Sequence, residues 1–221
     1  MKIVALLASP HGLKGNTGRL LKIVLDGART EGAKTEAILL NWKKVGPCLA
    51  CDVCHVKGHC KQKDEFEVIK EKIMDADALV MATPNYIDNV SAQLKAFMDR
   101  CCGVVHCLGF EGKYGTAVVT SGGGEEKPIA DMIDSFLIKT GVRPIDGVWI
   151  TMRGLTDLPQ DIREKALPVG KNIVEAVKNR SRNSKVEKQM NAFRERMKGL
   201  VLYRRTEWLY EYNYWHEKGE I

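Results

Sequence analysis

A glycine-rich stretch near the N-terminus, residues 9–18, constrains the fold more than any other part of the chain. It reads SPHGLKGNTG and lies between an apolar run at 2–8 and a helical pattern over about 17–31. A strand, a tight turn and a helix start in that order present free backbone N–H groups to a ligand, and the helix dipole favours negative charge there. The stretch therefore predicts an anion site.

The residue types in this stretch suit one phosphate group. It supplies short polar side chains, positive charge, and glycines that allow positive φ and a close approach of the backbone. These residues are Ser9, His11, Gly12, Lys14, Gly15, Asn16, Thr17 and Gly18. The patterns of nucleoside-triphosphate and dinucleotide loops, G-x-x-x-x-G-K-[ST] and G-x-G-x-x-G, are absent. A single terminal phosphate, as on FMN, fits better, and an ordinary strand-to-helix turn is the alternative.

Alternating patterns along the chain predict five strands separated by helices. We expect strands at 2–8, 33–40, 78–83, 114–120 and 142–150, and helices at about 17–31, 64–75, 90–102, 126–139 and 159–179. This order is typical of an α/β protein with a doubly wound, five-stranded parallel sheet of the flavodoxin-like type. We expect a domain at 1–180 with a cysteine-rich insert at 47–61, followed by a helical tail at 181–221.

Composition narrows the class of protein. A chain of 221 residues that is 44% hydrophobic suits one such domain with an appendage. It has no apolar run long enough to span a membrane, and no signal-peptide pattern precedes the first strand, so we expect a cytoplasmic protein. Seven cysteines then indicate metal or redox chemistry. The net charge of +6 comes from the tail, because residues 178–205 carry ten Lys and Arg against two Glu.

Three loops are expected at the carboxyl ends of the predicted strands, where ligands bind in such sheets. The first is the stretch at 9–18. The second, at 84–89, offers an aromatic face and backbone amides, and the third, at 121–124, has three glycines that would let a flat ring approach the backbone. Their agreement predicts one ligand site, although each loop on its own is compatible with a simple turn.

A cysteine motif of the form C-x2-C-x2-C-x5-C follows the second predicted strand. Three cysteines at this spacing can surround one small inorganic core, and a fourth completes the ligation of a [4Fe–4S] cluster. The predicted ligands are Cys48, Cys51, Cys54 and Cys60. His55 and His59 keep zinc open as an alternative, and thiols without metal are another. Cys101, Cys102 and Cys107 form no ligand spacing with each other, so we interpret them as small buried residues near the end of a helix.

Three blocks of residues carry a resemblance to a known family. They are Ser9-Pro10-His11 with Gly15-Asn16-Thr17, residues 47–54 with Cys60 and Asp64-Glu65, and residues 84–86 with 89–100. Over about residues 1–175 the chain resembles the iron–sulfur flavoproteins of the NADPH-dependent FMN reductase superfamily. The tail from about 180 lies outside this pattern, and His11 stands where the family often has Arg.

The resemblance implies bound FMN and a [4Fe–4S] cluster on the compact cysteine motif. It also implies homodimers or homotetramers in which a cluster lies near the flavin of a neighbouring subunit. By this resemblance the phosphate contacts the loop of Ser9, His11, Gly15, Asn16 and Thr17. The isoalloxazine contacts Pro84, Asn85, Tyr86, Ile87 and Asn89 together with Ser121, Gly122, Gly123 and Gly124.

The combined reading is an FMN-dependent oxidoreductase that transfers electrons. FMN takes one or two electrons and the cluster passes one at a time, so together they would connect a ferredoxin-like donor to a two-electron acceptor. The chemistry lies with the cofactors, and no catalytic side chain is predicted. The alternative is a cluster-free NAD(P)H-dependent FMN or quinone reductase. Nucleic-acid binding by the tail is disfavoured, because basic helical faces are usually only solvated.

Aromatic residues of the tail recur on one helical face. Trp208, Tyr212 and Trp215 are spaced at i, i+4 and i+7. We expect this face to pack against another subunit, since aromatic residues contribute much of the contact energy at interfaces. The alternative is that the tail folds back onto its own domain.

Overall fold

Apolar runs of the chain form a parallel sheet, as seen in a computed structural model that describes residues 1–41 and 44–221. Its strands lie in the order β2-β1-β3-β4-β5, and β6 also pairs with β4. Every pairing is parallel. The strands are β1 (Lys2–Leu7), β2 (Lys34–Leu39), β3 (Ala78–Pro84), β4 (Tyr114–Ser121), β5 (Arg143–Pro144) and β6 (Val148–Thr151).

Helices cover both faces of the sheet and continue beyond it into the tail. They are α1 (Asn16–Thr30), α2 (Val53–Lys57), α3 (Phe66–Met74), α4 (Ala92–Arg100), α5 (Cys102–Cys107), α6 (Glu126–Thr140), α7 (Gln160–Asn179), α8 (Ser184–Tyr203) and α9 (Leu209–Glu217). None of the helices in this described part of the chain is long and apolar enough to cross a membrane.

Two hydrophobic cores lie on opposite faces of the sheet. In β1, Ile3 and Leu7 pack with α1 and α7, whereas Val4 and Leu6 pack with α3, α4 and α6. Successive side chains of a strand point to opposite faces, so a strand covered on both sides must be apolar throughout. The continuous apolar runs of β1 and β3 therefore fix the doubly wound architecture, and the predicted flavodoxin-like class is confirmed.

The fifth strand position differs from the prediction in detail. The run expected at 142–150 forms two short strands, β5 and β6, which both pair with β4. Between them the amide of Ile145 still donates to the carbonyl of Gly115 at 2.8 Å, and Thr116 Oγ1 donates to the carbonyl of Asp146 at 3.1 Å. Pro144 has no N–H to donate, so the hydrogen bonding to β4 is interrupted there. We therefore regard β5 and β6 as one strand with a local break.

The tail folds back onto its own chain. Trp215 is fully buried in a third hydrophobic cluster with Leu108 and the apolar face of α8, and its Nε1 donates to the carbonyl of His106 at 3.1 Å. The expectation that this face packs against another subunit is therefore wrong for Trp215. The reason is that α8 supplies the apolar surface which α9 needs, through Met190, Phe193, Met197 and Val201.

The contact between α1 and α7 generates the first testable prediction. A Cβ on Gly170 would overlap the backbone carbonyl of Val24, so the two helices pack closely only because residue 170 is glycine. Gly170→Ala should lower the free energy of unfolding by about 1–3 kcal/mol in urea titrations. Gly199→Ala is the matched control, since nothing lies near that exposed helical position. It should stabilise the protein by about 0.5–1 kcal/mol, and equal effects would contradict this packing.

Candidate functional site

The glycine-rich stretch folds into a short 3₁₀ turn that packs against the start of α1. The turn spans Gly12–Lys14, and Gly15 precedes the helix. A Cβ on Gly18 would overlap the carbonyl of Gly12, so only glycine allows this contact. The Asn16 Oδ1 accepts from Arg19 Nη2 at 2.5 Å, which leaves the Asn16 amide nitrogen as a donor. The loop thus offers backbone and side-chain N–H groups at a helix start.

The second loop, after β3, is held to the sheet by a buried serine. Ser91 Oγ donates to the carbonyl of Ala8 at 2.7 Å, and the Ser91 amide donates to Thr83 Oγ1 at 3.0 Å. Between Thr83 and Ser91 the chain turns sharply, with positive φ at Ile87 (50°) and Asp88 (54°). Such backbone is costly for residues other than glycine and persists because the flanking contacts fix it. The turn leaves Tyr86 partly exposed.

The third loop, after β4, is organised around the buried carboxylate of Glu126. Ser121 Oγ and Thr151 Oγ1 both donate to its Oε1, the latter at 2.6 Å, and the amide of Gly124 donates to Ser121 Oγ at 2.8 Å. Burial opposes ionisation of Glu126, but the hydrogen bonds from Ser121 and Thr151 outweigh it and lower the pKa. A charged carboxylate therefore fixes the end of β4 against the end of β6.

The three loops meet in one cavity of about 330 Å³ at the carboxyl ends of the strands. Thr17 Oγ1 and Thr120 Oγ1 share a buried hydrogen bond of 2.7 Å that joins the first loop to β4. The predicted site residues that line the cavity are Ser9, His11, Asn16, Thr17, Pro84, Asn85, Tyr86, Ser121 and Gly122. The predicted residues outside its lining are Gly15, Ile87, Asn89, Gly123 and Gly124.

Four residues of the cavity lining were not expected from the sequence: Thr120, Met152, Gly154 and Leu155. Three of them belong to the loop after β6. The sequence could have indicated this loop, because it follows the fifth predicted strand and so reaches the same edge of the sheet. It has neither a glycine run nor an aromatic motif to draw attention to it.

The cavity has the polar groups that an anionic ligand with a planar N–H-bearing ring would need. Asn85 Nδ2 donates to the carbonyl of Gly124 at 2.9 Å, which fixes the orientation of the amide. The Asn85 Oδ1 is buried and has no hydrogen-bond partner within residues 1–41 and 44–221. A buried acceptor without a partner is costly, and a ligand N–H would remove that cost. The N–H groups at the start of α1 supply the complementary anion site.

The cysteine-rich segment is closed by a buried ion pair. Arg100 makes two parallel contacts with Asp64, at 2.8 and 3.1 Å, and also donates to the carbonyl of Gly46 at 3.2 Å. Asp64 in turn accepts from the amides of Gly46 and Phe66. Burial opposes ionisation of Asp64, but the hydrogen bonds from Arg100 and from the amides of Gly46 and Phe66 together outweigh it and lower the pKa of the carboxyl. Both ends of the segment are thereby fixed to α4.

The four predicted cluster cysteines lie along this closed segment. Cys48 is exposed, Cys51, Cys54 and Cys60 are half-buried, and none forms a disulfide. The amide of Ala50 donates to Cys48 Sγ at 3.4 Å. Cys54 and Cys60 both line a cavity of about 80 Å³ between α2, α3, α5 and α9.

The charge around Cys60 suits a negatively charged metal–thiolate group. The Arg100 guanidinium lies beside the thiol, and Arg100 Nε is buried without a hydrogen-bond partner among the described residues. A buried donor of this kind is satisfied by a thiolate or sulfide acceptor. The surroundings of Cys60 are therefore compatible with an iron–sulfur cluster.

The remaining cysteines differ from one another. Cys101 and Cys107 are buried, in keeping with the interpretation from sequence, but Cys102 is only half-buried. Cys102 faces two histidines, and hydrogen bonds from His106 and His55 lower the pKa of its thiol to about 6. The sequence signal for this arrangement was Cys-x3-His on one helix, which puts the thiol and the His106 imidazole on the same face.

Comparisons with known proteins agree with this arrangement. Residues 1–153 match the family model described as NADPH-dependent FMN reductase. An iron–sulfur flavoprotein of Archaeoglobus fulgidus is 29% identical over the full length of both chains. An iron–sulfur flavoprotein of Methanocaldococcus jannaschii is 32% identical over 80% of this chain and 98% of its own. A flavodoxin of Streptococcus pneumoniae has a similar structure, with a TM-score of 0.57 at 16% identity over 79% of this chain and 99% of its own.

The fold and the matched residues define a flavodoxin-like oxidoreductase of the flavoprotein class. The chain belongs to the NADPH-dependent FMN reductase family, and its relatives place it with the iron–sulfur flavoproteins of that family. The resemblance inferred from the sequence motifs is thus confirmed. The similarity to the A. fulgidus protein also spans the tail, which the motifs did not cover.

The buried ion pair at the cysteine segment generates the second prediction. Arg100→Met removes one partner and leaves the Asp64 charge uncompensated, so the free energy of unfolding should fall by about 3–5 kcal/mol. Urea unfolding followed by circular dichroism measures it. Lys95→Met on the same helix breaks an exposed pair with Asp99 and should change the free energy by less than about 1 kcal/mol. Similar losses in both variants would show that the Arg100–Asp64 pair has no special role.

Proposed function

We propose that this chain is an electron-transfer flavoprotein that binds FMN and a [4Fe–4S] cluster. It passes electrons between a one-electron donor of the ferredoxin type and a two-electron acceptor. The observation that carries the proposal is the cavity at the strand ends, which combines a helix-start anion site with the unpaired Oδ1 of Asn85. Membership of the FMN reductase family and iron–sulfur flavoprotein relatives support it.

Each end of the cavity has a role in holding FMN. The phosphate is bound by the start of α1 with Ser9, Asn16 and Thr17, and the exposed His11 imidazole can donate a further hydrogen bond. The Asn85 Oδ1 would accept a ring N–H, and Tyr86, which lines the same cavity, would contact the ring. When bound, FMN supplies one- and two-electron chemistry, and the protein fixes its orientation and limits its access to water.

The cluster is held by Cys48, Cys51, Cys54 and Cys60. When bound, it supplies one-electron transfer. The Arg100 guanidinium opposes the negative charge of the thiolates, and the ion pair with Asp64 holds the segment closed. Exposed Cys48 keeps one side of the segment accessible to a protein donor.

The relay is proposed to cross between subunits of a homodimer or homotetramer. No described residue of the cysteine segment lines the FMN cavity. The segment follows β2, which is an edge strand of the sheet, so it lies at a margin that a second copy can approach. This arrangement supports electron transfer from a cluster to the flavin of a neighbouring chain.

Two further expectations belong to the same proposal. The protein acts in the cytoplasm, where its free thiols stay reduced. It does not act on nucleic acid, because basic helical faces are usually only solvated, and some of the tail's basic side chains pair within the chain. Arg194 pairs with Glu111 and Glu220, and Arg204 pairs with Glu207.

The third prediction tests the phosphate site. Asn16→Asp keeps the shape of the side chain but replaces its amide donor by negative charge beside the phosphate. The Kd for FMN should rise at least about tenfold, which corresponds to about 1.4 kcal/mol. Fluorescence titration of the apoprotein with FMN measures it. Asn172→Asp on the exposed face of α7 is the matched control and should leave the Kd unchanged. An unaltered Kd in Asn16→Asp would contradict the assignment of this loop.

The fourth prediction tests the relay. Cys51→Ser should remove or convert the cluster and leave FMN bound, because the flavin loops are separate. Reduction of FMN by reduced ferredoxin should slow at least about tenfold in stopped-flow absorbance, while dithionite still reduces it. Cys101→Ala removes a buried thiol outside the motif and should keep the parent rate. If Cys51→Ser loses its cluster yet accepts electrons from ferredoxin as fast as the parent, the cluster has no part in the relay.

A second candidate function is a cluster-free NAD(P)H-dependent FMN or quinone reductase. The description of the matched family favours it. The absorption spectrum of anaerobically purified protein separates the two. Broad absorbance near 400 nm with iron and sulfide supports the cluster, and flavin bands alone support the cluster-free reductase.

A further inference from the structure

A group of metal-binding side chains lies between α2, α5 and α9, away from the FMN cavity. The group consists of His55, Cys102 and His106. Each contributes one ligand atom, and these three atoms lie within 4.8 Å of one another. His55 belongs to α2 and is buried, and Cys102 and His106 are one turn apart on α5. None of the three is among the four cysteines of the cluster motif. The topology therefore joins donors from two separate helices at one point.

Both histidines are oriented by one fully buried carboxylate from the tail. Glu211 Oε1 lies 2.5 Å from His55 Nδ1, and Oε2 lies 2.9 Å from His106 Nδ1. With each Nδ1 engaged, Nε2 is the nitrogen that remains on each ring. Histidines that bind metals almost always use their second nitrogen in this way, with a carboxylate fixing the ring.

The Cys102 thiol and the free nitrogen of His106 have the spacing of two donors in a tetrahedral metal site. Cys102 Sγ lies 3.8 Å from His106 Nε2. In a tetrahedral zinc site with Zn–S of about 2.3 Å and Zn–N of about 2.0 Å, these two donors stand about 3.5 Å apart. His55 Nε2 also lies 3.7 Å from Oδ1 of Asp52, a solvent-exposed carboxylate. Asp52 or water can therefore provide a fourth ligand.

The rings are held in place by stacking as well as by Glu211. The His55 and His106 rings are stacked, with centroids 5.0 Å apart. Trp208 stacks on both, at 4.6 and 4.9 Å, and Arg204 lies over its ring at 5.0 Å. Side chains fixed in advance lose little freedom on binding an ion.

We propose that His55, Cys102 and His106 bind one zinc ion, with Asp52 or water as fourth ligand and Glu211 orienting both imidazoles. Two imidazoles and one thiolate with a carboxylate or water oxygen suit tetrahedral zinc, whereas the same three donors with a long axial methionine are typical of copper. Zinc does not exchange electrons. The ion would tie α2, which carries Cys54, to α5, and Glu211 would couple it to the tail. None of the three ligands belongs to the cluster motif, but His55 is hydrogen-bonded to its neighbour Cys54. The zinc proposal stands whether or not the electron relay operates.

The metal content and ligands of the unmodified protein provide the first test. Protein purified anaerobically, incubated with zinc and freed of excess should contain about one zinc per chain in addition to its iron. Zinc K-edge absorption should show a first shell with two imidazole nitrogens and one sulfur. A shell of four sulfurs would place the zinc on Cys48, Cys51, Cys54 and Cys60 and overturn the proposal. Absence of zinc would overturn it as well.

Variants provide the second test. His106→Gln and Cys102→Ser should each lower zinc occupancy at least tenfold while iron and FMN contents are unchanged. Glu211→Gln should weaken zinc binding by about 10–100-fold in a chelator competition. The exposed His216→Gln on α9 is the matched control and should retain zinc. Unchanged zinc in His106→Gln, or iron lost together with zinc, would overturn the proposal. Where a variant fails to fold, the zinc K-edge spectrum of the unmodified protein tests the proposal on its own.

Discussion

The FMN cavity and the cysteine segment both depend on one constraint, the parallel direction of the strands. It brings the loops after β1, β3, β4 and β6 to one edge of the sheet, and the cysteine segment leaves the same edge after β2. Parallel strands alone do not fix loop geometry. Buried polar contacts do, through Ser91, Glu126 and the hydrogen bond between Thr17 and Thr120. Each is satisfied in a dry environment, where an unpaired polar group would be costly.

Local patterns were sufficient for the sheet and for most of the cavity lining. The apolar runs of β1 and β3 predict buried central strands, and the glycines near Asn16 predict the turn before α1. The loop at 152–155 was missed because its role depends on the interrupted strand before it. The sequence left two paths open for the tail and the wrong one was preferred, because the partner of Trp215 in α8 is visible only in the three-dimensional fold.

The group around Cys102 shows why long-range contacts escape pattern reasoning. Cys102 and His106 are four residues apart, a spacing visible in the sequence, but the predicted helix ended at about 102 and did not include His106. His55 and Glu211 are 156 residues apart, and nothing local connects them. A glutamate at 0% exposure in a basic tail can be recognised as special only after the fold gives it two histidine partners. Burial of such a charge is tolerated because both oxygens are hydrogen-bonded.

The tail limits the ways in which a partner can reach the cysteine segment. Tyr210 and Tyr214 of α9 line the cavity that also contains Cys54 and Cys60, so this side of the segment is covered by the chain itself. Cys48 is exposed on the other part of the segment, and Leu49 beside it is 60% exposed. In the proposed relay, electrons would therefore enter and leave on the Cys48 side. The charge of Arg100 lies buried beside Cys60, so it would act on the cluster without attracting a partner to that position.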